Sequence, residues 1–231
     1  MKIANSVNKF GTLSLLNFGR KHAEKLGQSD VPAIAALKQP IAAAVMELEQ
    51  SYAARRPLAA LWNSATEVKD EADEALDNVI SELSYELLGP AILKGNRGAP
   101  SYRALFPEGN IGFINGPDRA ELAQVSAMVA YLKANPEHPM SARATDLEAK
   151  AAALQASLDP IVAAEAALRS AQAAERGKRE ALVRILRKSV AMIRAELMDE
   201  KKVQGLFPTV QEARIQEDEQ APIAVQLQPT A

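Results

Sequence analysis

The chain of 231 residues carries 27 basic and 29 acidic side chains, and its net charge of −2 excludes a global electrostatic pull toward nucleic acid or anionic membranes. It has no cysteine, which excludes disulfides, thiolate nucleophiles and cysteine-based zinc sites. Apolar residues make up 48% of the chain but aromatic residues only 4%, so the core has to consist mainly of Ala, Leu, Ile and Val. That composition favours close packing of helices, and we expect an all-α protein.

The N-terminal segment, residues 1–28, contains no continuous apolar stretch, because polar residues between Asn5 and Lys9 interrupt it. We therefore expect neither a secretory signal nor a transmembrane helix, and we expect a cytoplasmic location. The leucines from Leu13 to Leu16 predict a short amphipathic helix that ends near Gly27 and packs against a helical bundle. The alternative is a surface anchor for a membrane or a partner. The residues expected on the solvent-exposed face of this helix are Arg20, Lys21, His22 and Lys25.

Two helices are predicted between residues 30 and 88. The first is expected to run to about Ala54, with Pro40 kinking or restarting it. Pro57 begins the second, since proline is tolerated in the first turn of a helix, and this helix runs to about Leu88. Its apolar residues recur at alternating steps of three and four, which is typical of an amphipathic helix. These residues are Leu58, Leu61, Ala65, Val68, Ala72, Leu76, Val79, Leu83 and Leu87.

The segment 89–117 is rich in glycine and proline, and this excludes a long helix. One helical turn is expected over Ser101–Phe106 and a short extended piece over Ile111–Ile114. Because the segment also contains aromatic residues, we expect it to pack onto the end of the bundle. It is a candidate for a structural loop or for a contact with another protein, and the cations of Lys94–Gly98 make a small-anion site the third alternative. The candidate interaction residues are Tyr102, Arg103, Phe106 and Phe113.

The longest helix is predicted from Ser141 to about residue 203, after a shorter one that starts at Pro117 and stops at Asn135. Its apolar residues form two seams, 147–168 and 182–197, and the stretch between them has no apolar side chain larger than alanine. Pro160 predicts a kink or a restart, and the polar centre with Gly177 predicts a bend, a change of partner or an exposed patch around Arg169–Ala181. We expect contacts between this helix and the apolar stripe at Leu76, Val79 and Leu83.

The predicted organisation is an elongated antiparallel helical bundle with one Gly/Pro-rich loop. Residues 1–28 form an N-terminal segment, residues 29–208 a single helical domain, and residues 209–231 a loose tail, since the tail is rich in Gln, Glu, Pro and Ala without periodicity.

The loop sequence from Ser101 to Gly109, Ser-Tyr-Arg-Ala-Leu-Phe-Pro-Glu-Gly, is followed by the helix from Pro117 and the turn Asn135–Pro139. This run resembles a loosely defined group of uncharacterised bacterial proteins in which a Tyr-Arg-x-Leu-Phe-Pro-x-Gly loop joins Ala-rich helical regions. The resemblance covers about residues 57–208. It implies an all-helical bundle in a bacterial protein, and it implies no activity, cofactor or catalytic residue.

Charge is segregated between two segments of the chain. Residues 67–86, the acidic segment, hold eight carboxylates against one lysine, and residues 169–194, the basic segment, hold eight cations against two glutamates. We expect the two segments to pair as antiparallel helices, because their charges nearly cancel. The alternative is that the basic segment binds phosphates, although no aromatic residue lies among its cations to stack on bases. The candidate residues are Arg176, Arg179, Arg184 and Arg187.

No catalytic, cofactor or metal site is predicted. A di-iron site in a helical bundle takes Glu-x-x-His pairs, and neither His22 nor His138 has a glutamate three residues before it. No Gly-x-Ser-x-Gly nucleophile motif occurs either. The sequence therefore favours a non-enzymatic helical scaffold or interaction protein that binds a protein partner or itself. The alternatives are a nucleic-acid or anion-binding module that uses residues 169–194, and an enzyme with an unrecognised carboxylate site.

Overall fold

The computed structural model describes residues 9–107, 109 and 118–214. All of the regular structure in these residues is helical, which confirms the prediction of an all-α helical bundle. In chain order the helices are α1 (Thr12–Gly27), α2 (Pro32–Ala35), α3 (Lys38–Leu88), α4 (Pro100–Leu105), α5 (Asp118–Ala134), α6 (Ala144–Leu197), α7 (Glu200–Gly205) and α8 (Val210–Ala213), with a 3₁₀ turn at Ser141–Arg143 before α6.

Helix α3 is a single element of 51 residues, so the predicted break between Ala54 and Pro57 is wrong. Pro57 lies inside the helix with an exposed side chain, and apolar positions are buried both before it, at Leu48, and after it, at Leu76. Packing at both ends holds the helix together across a residue that disfavours it locally. At Pro40 the predicted restart is found, because α3 begins at Lys38 and places that proline in its first turn.

Helix α6 continues through both Pro160 and Gly177 over 54 residues, so the predicted restart is absent. It ends earlier than predicted, at Leu197, because Met198 adopts a left-handed φ of 50°. Asp199 then caps the start of α7, because its carboxylate accepts hydrogen bonds from the backbone N–H groups of Lys201 and Lys202.

The chain divides into two compact units: unit 1 comprises residues 1–57 and 169–231, and unit 2 comprises residues 58–168. Helices α3 and α6 each contribute residues to both units. The prediction of one domain over residues 29–208 stays a prediction.

The core of unit 1 is formed by α1, the first part of α3, the last part of α6 and the C-terminal helices. At Gly19 helix α1 approaches α3 so closely that an added Cβ would lie 2.5 Å from Val45 Cγ2, and this explains the glycine. The largest buried contributors are Leu15, Phe18, Leu26, Ile41, Leu48, Leu182, Leu186, Ile193 and Phe207.

The core of unit 2 joins the second part of α3 to α4, α5 and the first part of α6. Leu76, Val79 and Leu83 share one buried cluster with Leu147 and Leu154 of α6, so the predicted contact with the longest helix is present. The first part of the seam that the sequence assigned to residues 147–168, from Leu147 to Leu154, thus packs against the apolar stripe of α3.

The first residues of the predicted loose tail are ordered by specific contacts in unit 1. Thr209 and Glu212 form a reciprocal capping box at the start of α8, and Ala213 is fully buried. Asn17 Nδ2 of α1 donates to the Glu212 carbonyl oxygen at 3.0 Å. The prediction of a loose tail is therefore wrong for residues 209–214, and the rest of it lies outside the described residues.

Candidate functional site

Four arginines of α6 lie along one concave surface of unit 1. We call this set, Arg176, Arg179, Arg184 and Arg187, the arginine strip. Together with Glu180 and Val183 they line an open cavity of about 610 Å³. The spacing of three, five and three residues keeps their side chains on neighbouring positions of one helix face over three turns. The structure thus brings together the four basic residues that the sequence singled out.

Three of the four arginines of the strip lack an ionic partner among the described residues. The fourth, Arg179, donates through Nη2 to the carbonyl oxygen of Phe10. Arg176, Arg184 and Arg187 have no ion pair or side-chain hydrogen bond within residues 9–107, 109 and 118–214. Glu180 is the one carboxylate that lines the same cavity in that part of the chain.

A buried carboxylate lies beside the strip without cancelling its charge. Glu175, with a side chain that is 10% exposed, accepts a hydrogen bond from Thr12 Oγ1 at 2.7 Å. Its other oxygen lies 2.8 Å from Arg55 Nε in an ion pair that lacks hydrogen-bond geometry. These residues line a second cavity of about 240 Å³, which shares Arg176 and Arg179 with the first. Glu175 thus pairs with Arg55, which lies outside the strip.

The predicted pairing between the basic and acidic segments is wrong. In unit 1 the basic segment pairs with acids outside the acidic segment: Lys178 Nζ lies 2.9 Å from Glu47 Oε2, and Arg194 Nη2 lies 3.0 Å from Glu200 Oε1. The physical reason is the continuity of α3, because its first part packs against the basic segment in the core of unit 1.

Carboxylates of the acidic segment pair within unit 2. The guanidinium of Arg143 lies 3.1 Å from Glu82 Oε2 and 2.7 Å from Glu86 Oε1. The acidic segment thus has cationic partners of its own, and these do not belong to the basic segment.

The predicted interaction loop is held in the core of unit 2 by its aromatic residues. Tyr102 and Phe106 are buried, with ring centroids 5.1 Å apart, and the Tyr102 hydroxyl lies 3.1 Å from Ser84 Oγ. They anchor the loop to the helices rather than present it to a partner. Arg103 is exposed, whereas Phe113 and the predicted extended piece lie outside the described residues.

Sequence reasoning placed His22 on the wet side of α1, but the structure buries it completely. Its Nδ1–H donates to the carbonyl oxygen of Leu206 at 2.8 Å, its Nε2 lies 3.0 Å from Ser189 Oγ, and its ring stacks on Phe207 at a centroid distance of 4.0 Å. Burial lowers the pKa of His22 to about 4, so the imidazole is neutral. The buried environment of His22 is formed by α6 and by the residues that follow α7, so the sequence pattern of α1 alone does not indicate it.

A second missed residue, Glu121 of α5, lies next to Asp77 of α3 in unit 2. The Glu121 side chain is 1% exposed, and one oxygen of each carboxyl group is buried without a hydrogen-bond partner. Burial, and then the charge of Asp77, raises the pKa of Glu121 to about 8. The described residues contain no group of three or more acidic or histidine side chains that could hold a metal ion.

Unit 2 also has an exposed apolar groove of about 330 Å³ between α3 and α6. Leu61 and Val68 line it with more than half of their surface exposed.

By length and composition alone, α6 with its preceding 3₁₀ turn is apolar enough to cross a membrane. The 18-residue window that meets this test is 17% buried, and the expected absence of a membrane span stays a prediction.

No protein-family model matches this chain, and no curated protein or solved structure matches it significantly. The resemblance to bacterial proteins with a Tyr-Arg-x-Leu-Phe-Pro-x-Gly loop therefore stays a prediction. Among the features of the two units, Arg176, Arg184 and Arg187 of the arginine strip combine exposure with charge that no group in the described residues pairs.

Proposed function

We propose that this chain is a non-enzymatic helical interaction protein and that the arginine strip binds an acidic surface of a protein partner. One observation supports the proposal: three arginines without a partner in the described part of the chain converge on a cavity of about 610 Å³. Arginine presents a planar fork of donors that fits a carboxylate in a bidentate manner, which makes such a strip suited to acidic side chains.

Arg184 and Arg187 repel each other, because they are neighbours three residues apart on an exposed helix face. Glu180, four residues before Arg184, offsets part of this repulsion, since it is one carboxylate beside four arginines. The carboxylates of Glu82 and Glu86 pair with Arg143 in unit 2, so they do not relieve this repulsion. An acidic partner would relieve it, which favours a binding role over a merely solvated face.

A nucleic-acid-binding module is the alternative, because the same guanidinium groups bind phosphates. The lining of the cavity favours a nucleic acid less than an acidic protein surface. Its described lining includes one apolar residue, Val183, and no aromatic side chain that could stack on a base. An enzyme that uses the Asp77–Glu121 pair is the second alternative, and metal analysis of the purified protein tests its metal-dependent form.

The test compares binding of a fluorescent polyglutamate peptide with binding of a double-stranded oligonucleotide. The variant replaces Arg176, Arg184 and Arg187 with Gln, and the matched control replaces the exposed cations Arg103, Lys201 and Lys202 with Gln. We expect the variant to lose on the order of tenfold in polyglutamate affinity, since each exposed ion pair contributes about 0 to 1 kcal/mol. The control should keep the affinity of the unmodified protein.

Two outcomes contradict the proposal. If the unmodified protein does not bind polyglutamate at low salt, or if the control loses as much affinity as the variant, the strip is not the binding surface. If the oligonucleotide binds more tightly than the peptide and its affinity falls steeply with salt, the nucleic-acid alternative replaces the proposal.

A further inference from the structure

We infer that the acidic partner of the arginine strip is a second copy of this chain, which presents the exposed carboxylates at the start of its acidic segment. This inference rests on the proposed function, because it names the partner of the same surface. We call these carboxylates the acidic strip. Its members are Glu67, Asp70, Glu71 and Glu74 of α3.

The acidic strip is a one-sided surface like its counterpart. Its residues follow steps of three, one and three, so they share one face of α3, and all four are exposed. Glu67, Glu71 and Glu74 have no ion pair within the described residues. Asp70 is the partly compensated member of the strip, because Lys69 Nζ lies 3.6 Å from Asp70 Oδ1, 3.6 Å from Asp73 and 3.4 Å from Asp118.

The acidic strip is shorter than the arginine strip. At about 1.5 Å of rise per residue, the acidic strip extends about 10 Å and the arginine strip about 16 Å, so one fits within the other. Each places several charges of one sign along one helix face, and Glu180 is the one carboxylate among the described residues that line the cavity of the arginine strip. When two helices pack side by side, opposite charges along their flanks determine the partner and the relative direction of the helices.

The distribution of charge favours a second copy over an unrelated partner. The acidic strip belongs to unit 2 and the arginine strip to unit 1. Lys178, beside the arginine strip, pairs with Glu47 of unit 1, and Glu86 of the acidic segment pairs with Arg143 of unit 2. Each strip is thus left exposed, and the complement of each is present on every other copy. Because the net charge is only −2, two copies approach without strong mutual repulsion.

Association through such strips depends on salt. The Debye length falls from about 30 Å at about 0.01 M salt to about 3 Å at about 1 M, so the contact between copies should weaken over this range. We therefore expect the weight-average mass of the full chain in light scattering to rise with protein concentration at low salt and to return to that of one chain at high salt.

Two charge-reversed variants test whether the strips contact each other. The first carries Arg184→Glu with Arg187→Glu, and the second carries Glu67→Lys with Glu71→Lys. Each alone faces like charge at both strips and should not associate. An equimolar mixture restores complementary pairs at both strips, so we expect the mixture to regain the mass of the unmodified protein. The control, Lys201→Glu with Lys202→Glu, should associate like the unmodified protein.

The outcomes separate this inference from the proposed function. A chain that stays monomeric at low salt but binds polyglutamate through the arginine strip overturns the second copy as partner and leaves the proposed function intact. A chain that does neither overturns both. Self-association that survives in either reversed variant, with circular dichroism confirming its helices, also overturns the inference, because another surface such as the apolar groove then holds the copies together.

Discussion

His22 links the packing of unit 1 to protonation. The neutral imidazole satisfies both of its nitrogens in the buried site, whereas the imidazolium would place a charge among Phe18, Phe207 and the apolar side chains of the core. Burial therefore favours the unprotonated form in the folded state, and the pKa falls from 6.5 to about 4.

We predict that His22 makes stability fall as the pH decreases between 6.5 and about 4. In this window the unfolded chain binds a proton that the folded chain does not, so the unfolding free energy rises with pH. The contribution is fully present above pH 6.5, and about 3 kcal/mol of it is lost at pH 4. Urea unfolding of the unmodified chain and of His22→Gln at several pH values measures it as a difference.

The glutamine variant keeps a hydrogen-bond donor but does not titrate. It should be less stable at neutral pH and should show a shallower decline on acidification. Equal slopes for the two proteins would mean that His22 is accessible to protons in the folded state.

At the scale of the helix, Pro57 shows how packing overrides local preference. A proline removes one hydrogen bond of the helix ladder and crowds the preceding turn, and in a helix interior it is about 3 kcal/mol less favourable than alanine. Helix α3 tolerates it because Leu48 and Leu76 are buried on either side. The cost remains in the folded protein.

We predict that Pro57→Ala stabilises the protein by up to about 3 kcal/mol, because the side chain is exposed and the substitution restores a backbone donor. The control is Pro40→Ala, where the proline occupies the first turn and its missing N–H has no partner within the helix. Thermal unfolding should show a higher midpoint for the first variant alone. Equal shifts would contradict the explanation.

The periodicity of the apolar residues predicted the helices, and the spacing of the arginines predicted the arginine strip. Both features follow from residue spacing along one helix. The partner of the basic segment was not predictable in the same way. It depends on whether α3 continues through Pro57, and that is decided by contacts between residues distant in sequence. His22 and Glu121 were missed for the same reason, since their burial comes from helices that lie far along the chain.

At the scale of the whole molecule, the two units make it possible to ask whether a destabilising substitution in one unit also destabilises the other. Unit 1 and unit 2 have separate buried clusters, centred on residues such as Leu186 and Leu83 respectively. Between these clusters no side chain of α3 from residue 49 to residue 75 is buried. Such a stretch has little tertiary stabilisation, so its amides should exchange more readily than those of either core.

We predict that Leu186→Ala speeds hydrogen exchange in the core of unit 1 more than in the core of unit 2, and that Leu83→Ala does the reverse. Each substitution removes a buried leucine and should cost about 2 to 5 kcal/mol in the unit that contains it. Mass spectrometry of exchanged peptides measures both cores in one sample. Equal acceleration in both would instead support the single domain expected over residues 29–208.

The division of the chain also has a consequence for biosynthesis. Unit 2 is continuous, and all of its residues have left the ribosome shortly after residue 168 is made, whereas unit 1 needs residues from both ends of the chain. Until Leu182 to Ile193 emerge, the apolar faces of α1 and of the first part of α3 lack the surface that covers them. The nascent chain therefore exposes the earliest-made half of a core for most of its translation, and this is the period when a chaperone would have the most to bind.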